Sequence, residues 1–228
     1  MIHKKNIIVA LDNTSLLEVE NILNQLDPQE CLVKVGSILF NSNGKEALAL
    51  VSEKGFEIFL DLKFHDIPNT VKDSILSFID YKIKFFTVHI SGGPAMLQAA
   101  KQASKEIGSK CIGVSILTSL TSNEIIEIYS KNIQEVVSKM FILAGQEGLD
   151  GIVCSPLELE VAAALIPNLI KITPGIRMSQ NRRDDQSRTL SAKQAILNGA
   201  DYLVIGRPIT KNKNIKQNFN MIHKSIYE

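Results

Sequence analysis

The sequence predicts a single-domain α/β protein of the (β/α)8 barrel class, spanning residues 1–228. Three observations predict it: apolar, β-branched runs recur eight times, segments with helical spacing separate them, and no linker or low-complexity stretch interrupts the rhythm. Each strand–helix unit occupies about 28 residues, near the small end of the barrel size range. An open doubly wound sheet is the structural alternative. No GxGxxG follows the first apolar run, which removes the usual dinucleotide-binding version of that fold.

The expected strands are residues 7–11, 31–35, 57–62, 85–90, 111–117, 151–154, 170–173 and 202–205. Between them, Val71, Ile75, Phe78 and Ile79 repeat at helical spacing, as do Ile133, Val137, Met140 and Ala144. Thr121 with Glu124 and Ser191 with Gln194 have capping-box spacing, and Pro68 and Pro94 suit a first helical turn. Gly108 and Gly199 suit helix ends, where a left-handed residue closes the last turn.

Composition narrows the class further. A compact chain of 228 residues hides about 70% of its unfolded surface, and 45% hydrophobic with 21% charged residues is ordinary for a globular domain. A net charge of +1 supplies no basic field for nucleic-acid binding, so any anion site is local. The five arginines all fall between Arg177 and Arg207, a bias suited to gripping phosphate or carboxylate, whereas the lysines are scattered. Arg182 and Arg183, beside Asp184 and Asp185, read as a solvated loop, and so does Arg188.

Cys31, Cys111 and Cys154 lie far apart in apolar runs, with no zinc spacing and no disulfide framework, and read as reduced core thiols of a cytoplasmic protein. The apolar run after the basic start is too short for a signal peptide, and no segment is long enough to span a membrane.

In a barrel of this class, reactive groups sit at the carboxyl ends of the strands and in the loops that follow. Asp12, Lys34, Asp61, Lys63, His89, Thr118, Gly206 and Arg207 all fall at such positions. The third strand is the most informative. A period of two puts Phe59, Asp61 and Lys63 on one face and Leu60, Leu62 and Phe64 on the other. The apolar face meets the helices, so Asp61 and Lys63 point into the barrel mouth, where an unpaired charge is costly. Lys34 on the neighbouring strand and Asp66 in the following turn complete an expected Lys-Asp-Lys-Asp array. An ammonium between carboxylates stays protonated: a poor Schiff-base nucleophile, but a loaded proton donor and a cation able to stabilise a carbanion. The bland alternative is a structural ion-pair network.

The run Asp61-Leu62-Lys63-Phe64-His65-Asp66-Ile67-Pro68-Asn69-Thr70 closely resembles the signature of the orotidine 5'-phosphate decarboxylase family. Weaker matches follow in the family's order along the whole chain. They are Val9-Ala10-Leu11-Asp12, Lys34-Val35-Gly36, Val88-His89 with Ser91-Gly92-Gly93, Leu117-Thr118-Ser119, Gly148-Leu149-Asp150-Gly151 with Val153-Cys154-Ser155, Thr173-Pro174-Gly175-Ile176-Arg177, and Val204-Ile205-Gly206-Arg207-Pro208. They resemble its bacterial branch; residues 178–185 match less clearly.

The resemblance implies cofactor-free, metal-free decarboxylation of orotidine 5'-phosphate to UMP in pyrimidine biosynthesis. Lys63 is the implied proton donor to C6, with Lys34, Asp61 and Asp66 around the departing carboxylate. Asp66 and Thr70 are implied to reach the neighbouring subunit's site, hence a homodimer. Asp12 is the implied ribose ligand and Thr118 the hydroxyl near the pyrimidine. Arg177, Gln186, Gly206 and Arg207 are implied at the phosphate, under a lid formed by the polar run 178–188. His65 and His89 are read as structural, with His89 lining the pocket floor.

Two rival classes remain. Sugar-phosphate decarboxylases and aldolases look similar around Asp-x-Lys-x-x-Asp but use Mg2+ to stabilise an enediolate. Against them, Ile67-Pro68-Asn69-Thr70 follows Asp66, and Val35-Gly36-Ser37 leaves no extra acidic residue beside Lys34. A noncatalytic phosphate-binding barrel is the third reading, and nothing in the sequence favours it.

Overall fold

The computed structural model describes residues 5–176, 190–211 and 214–227. Eight strands, all parallel and paired in chain order, close into a barrel of the TIM type as β8 pairs with β1. The strands are β1 (Ile7–Leu11), β2 (Cys31–Gly36), β3 (Ile58–Phe64), β4 (Ile83–His89), β5 (Lys110–Val114), β6 (Gly151–Val153), β7 (Ile170–Thr173) and β8 (Tyr202–Ile205).

Around the barrel run α1 (Leu16–Leu23), α2 (Ser37–Asn43), α3 (Lys45–Glu53), α4 (Pro68–Leu76), α5 (Gly93–Glu106), α6 (Ser122–Tyr129), α7 (Ile133–Gln146), α8 (Leu159–Leu165), α9 (Ala192–Leu197), α10 (Arg207–Thr210) and α11 (Ile215–Tyr227). Their ends follow the expected chemistry. Thr121 and Glu124 form a complete capping box, and the Ser191 hydroxyl accepts from the Gln194 amide. Pro68 and Pro94 stand in the first turns of α4 and α5. Gly108 and Gly199 have φ of 68° and 99° just past α5 and α9, a conformation that favours glycine.

Alternation along the strands divides the apolar residues between two cores. Ile8, Leu32, Phe59, Phe85, Ile112 and Ile172 fill the barrel interior, where Phe59 and Phe85 meet edge to face at 6.2 Å. Each fully buried ring of this kind contributes roughly 1.5–3 kcal/mol. The opposite faces, with Val9, Val33, Leu60, Val88 and Ile152, pack against the helices. Phe59 therefore faces inward while Leu60, Leu62 and Phe64 face the helices, the division the sequence predicts for β3.

Several boundaries differ from expectation by one to three residues, and three of the differences have a clear physical reason. β5 stops at Val114 rather than at residue 117, because β6 offers partners only as far as Val153. β3 continues to Phe64, which finds Val88 on β4 after a break in register. α4 ends at Leu76, and the amides of Phe78 and Ile79 bond three residues back, to Ile75 and Leu76. That tighter winding rotates Ile79 off the apolar face, and it is 57% exposed.

The three cysteines are buried and unbridged. Burial pushes the Cys31 and Cys154 thiols up to about 12, and that of Cys111 also rises. No helix among the described residues is long and apolar enough to cross a membrane.

Candidate active site

The carboxyl end of the barrel opens into a cavity of about 710 Å³. Seven of the sequence-predicted residues line it: Asp12, Lys34, Asp61, Lys63, Thr118, Gly206 and Arg207. Apolar groups, among them Val114, Ile116, Val153 and Val204, line it together with the charged ones. A largely apolar pocket with a few convergent charged groups is the usual architecture of a small-molecule site.

The charges alternate in sign. Lys34 Nζ lies 2.9 Å from Asp12 Oδ1 and 3.9 Å from Asp61 Oδ2, and Lys63 Nζ lies 2.8 Å from Asp61 Oδ1. Each ammonium thus has a carboxylate partner, which offsets the cost of withdrawing both from water. The Asp61 side chain is 14% exposed and that of Lys34 12%, so this pairing acts where solvent screens it weakly. Gly36 leaves room for Lys34, since a Cβ there would come within 2.7 Å of its Nζ.

Local backbone geometry aims these groups. Between Leu60, paired with Phe86, and Phe64, paired with Val88, three residues of β3 oppose Thr87 alone. This bulge carries Asp61 and Lys63, and Lys63 adopts φ 52°, a left-handed conformation rare for a residue with a side chain. Strain of this sort persists only where the surroundings hold it, and it concentrates at working sites.

Asp66 stands apart from the array the sequence predicts. Its carboxylate accepts from the Ile67 amide at 2.7 Å in the exposed turn before α4, and within the chain Asp12 takes the fourth place in the charged row. Thr70 is likewise exposed, on the first turn of α4. Asp66 lies past the strand end, so the barrel does not aim it inward. Arg177 and Gln186, with the rest of the run 178–188 including Arg182, Arg183 and Arg188, lie outside the described residues.

His89 is half-buried beside the array, its ring centroid 5.2 Å from that of His65. It is not among the cavity-lining residues, contrary to the expectation that it forms the floor. Desolvation lowers its pKa from the ordinary 6.5; the His65 and Lys63 charges lower it further, and Asp61 works against them. A depressed histidine pKa means the unfolded chain takes up the proton first. Stability is therefore expected to fall as pH drops below about 6.5, and His89→Gln is expected to flatten that loss. Thermal melts of both proteins between pH 7 and 5 check this; identical slopes would reject it.

Sequence reasoning missed two residues. Lys211, after α10, lines the cavity beside Arg207 and Pro208, yet nothing in a run of solvent-type residues marks it. Thr87 is fully buried between Asp61 and Lys63. Its signal was present: a polar residue at an inward position of β4, two residues from Phe85 and two from His89.

Comparison with known proteins places this architecture. The model of the orotidine 5'-phosphate decarboxylase / HUMPS family matches residues 5–222. The chain belongs to that family. As a family member it is 42% identical over 224 residues to the orotidine 5'-phosphate decarboxylase of Dichelobacter nodosus, covering 96% of this chain and 98% of that one. It is 43% identical over 209 residues to that of Pseudomonas fluorescens strain SBW25, covering 90% of each. Among solved structures, the orotidine 5'-phosphate decarboxylase of Lactobacillus acidophilus superimposes with a TM-score of 0.84 at 32% identity, covering 97% of this chain and 99% of that one. The family is thus matched along nearly the whole barrel, including every strand end that carries a charge.

Proposed function

We propose that this protein is a carboxy-lyase that converts orotidine 5'-phosphate to UMP, the step its relatives are named for. The observation that carries the reading is the alternating row Asp12, Lys34, Asp61 and Lys63 at the barrel mouth.

The chemistry requires such a row. When CO2 leaves C6, the electron pair remains in an in-plane orbital that the pyrimidine π-system cannot delocalise. Stabilisation then comes from fixed charge, and an ammonium preorganised by its carboxylate partner provides it without reorganisation at the moment of reaction. Lys63 fills that role, as its Nζ stabilises the developing carbanion and delivers the proton to C6. Asp61 holds the ammonium and adds repulsion toward the substrate carboxylate, and Lys34 bridges Asp61 to Asp12. Asp12 receives the ribose hydroxyls, and Thr118 faces the pyrimidine.

The phosphate is assigned to the far side of the cavity, with Gly206 and Arg207 and, from outside the described residues, Arg177 and Gln186. Gly206 lets the backbone approach closely, and the guanidinium supplies a two-pronged grip. Binding at this remote group contributes to assembling the site around C6. Asp66 and Thr70 are assigned to a second copy of the chain, completing its site in a homodimer; their exposure beside Ile67, itself 67% exposed, supports this placement. The cytoplasm is the compartment this reading implies.

Loss of substrate absorbance on adding the protein to orotidine 5'-phosphate tests the activity. Turnover is expected to persist in EDTA. Full inhibition by EDTA, restored by Mg2+, would favour the sugar-phosphate class of barrel enzyme, and nucleotide binding without turnover would favour a noncatalytic barrel.

A further inference from the structure

We infer that Thr87 is a positioning residue for the reaction, holding Asp61 and Lys63 in working geometry through a closed ring of hydrogen bonds. The inference rests on the decarboxylase reading above and deepens it.

Thr87 is 0% exposed, so no substrate reaches it, and whatever it does passes through its neighbours. Its hydroxyl bonds to two of them, and both belong to the charged row. The Lys63 backbone amide donates to Thr87 Oγ1 at 2.9 Å, and the Thr87 hydroxyl donates to Asp61 Oδ1 at 3.0 Å. Lys63 Nζ donates to the same Asp61 Oδ1 at 2.8 Å. The ring closes: Lys63 amide, Thr87 hydroxyl, Asp61 carboxylate, Lys63 ammonium. Lys63 is thereby fixed at both ends, its backbone by one bond and its side-chain tip by another.

The bulge explains why such a brace is needed. Three residues of β3 stand opposite Thr87, so the regular ladder cannot satisfy the Lys63 amide, and the left-handed φ of 52° has no strand partner to maintain it. The hydroxyl supplies the missing acceptor and orients the carboxylate with the same atom, accepting with a lone pair while donating its only proton. A methyl in its place would strand the amide without an acceptor. The strained turn would then relax toward the extended region, and the Lys63 ammonium would move relative to the reacting carbon.

The test compares Thr87→Val, Thr87→Ala and Thr87→Ser with wild type. Thr87→Val keeps the shape and removes the hydroxyl, and it is expected to lower kcat on the order of 100-fold, the scale of a misplacement near 1 Å, with little change in KM. UMP affinity, measured by titration calorimetry, is expected to stay at the wild-type value because the phosphate and ribose contacts lie elsewhere. Thr87→Ser is expected to restore most of kcat.

If Thr87→Val does not fold, the Ala and Ser variants decide, since both lose the methyl and only one keeps the hydroxyl. Undiminished kcat in Val or Ala, equal kcat in Ser and Ala, or a loss carried by KM alone would overturn the assignment. Wild-type turnover is measured first. A silent wild type rejects the decarboxylase reading, whereas full activity in wild type and in every variant rejects only the role of Thr87.

Discussion

Lys63→Ala is expected to lower turnover of orotidine 5'-phosphate by on the order of 10⁴-fold or more, with the fold intact. Two contributions vanish together: the proton donor, and the only ammonium within 3 Å of Asp61 among the described residues. General acid catalysis contributes about 10²–10⁴-fold, and a preorganised charge facing a developing anion about 10²–10³-fold more. The fold is expected to survive because the Lys63 side chain is 33% exposed at the mouth and packs into neither core. Alanine at φ 52° is no more strained than lysine, and the amide bond to Thr87 remains available. Circular dichroism and a thermal melt establish the fold, and loss of substrate absorbance establishes turnover. Wild-type turnover in a folded Lys63→Ala protein would remove Lys63 from the chemistry.

The same variant reads out the proposed sharing of sites. Mixed with Asp66→Ala, Lys63→Ala is expected to regain activity, because one site of each mixed dimer then holds both native groups. No recovery after exchange of subunits would place Asp66 outside the partner's site.

Arg207→Ala is expected to raise KM for orotidine 5'-phosphate by roughly 100-fold while leaving the weak binding of orotidine, the bare nucleoside, unchanged. Arg207 follows β8, three strands round the barrel from β3 and Lys63, and lines the cavity with Gly206 and Pro208 beside it. A charge-assisted, two-pronged bond to phosphate is worth about 3 kcal/mol, which is the stated factor. The comparison between nucleotide and nucleoside isolates the phosphate term from any general change in the pocket. Equal losses for both ligands would take Arg207 away from the phosphate.

Much of this was legible in the sequence for a definite reason. Barrel strands alternate between two environments, so the residue types along 57–64 disclose by themselves which face is oily and which is charged. Caps such as Thr121 with Glu124 and Ser191 with Gln194 are also local, since their partners lie three residues apart, and the charged strand ends named the mouth of the barrel.

Tertiary structure alone decided the rest. That Asp12 rather than Asp66 closes the charged row within one chain depends on β1 lying beside β2, whose register sets Ala10 against Lys34. That Thr87 braces Lys63 depends on a bulge three residues wide opposite a single position of the next strand. Register and bulges arise from pairing between segments distant in sequence, and no local pattern of residue types encodes the partner. Residue types along each strand therefore foretold the chemistry available, and closure of the barrel determined which atoms meet.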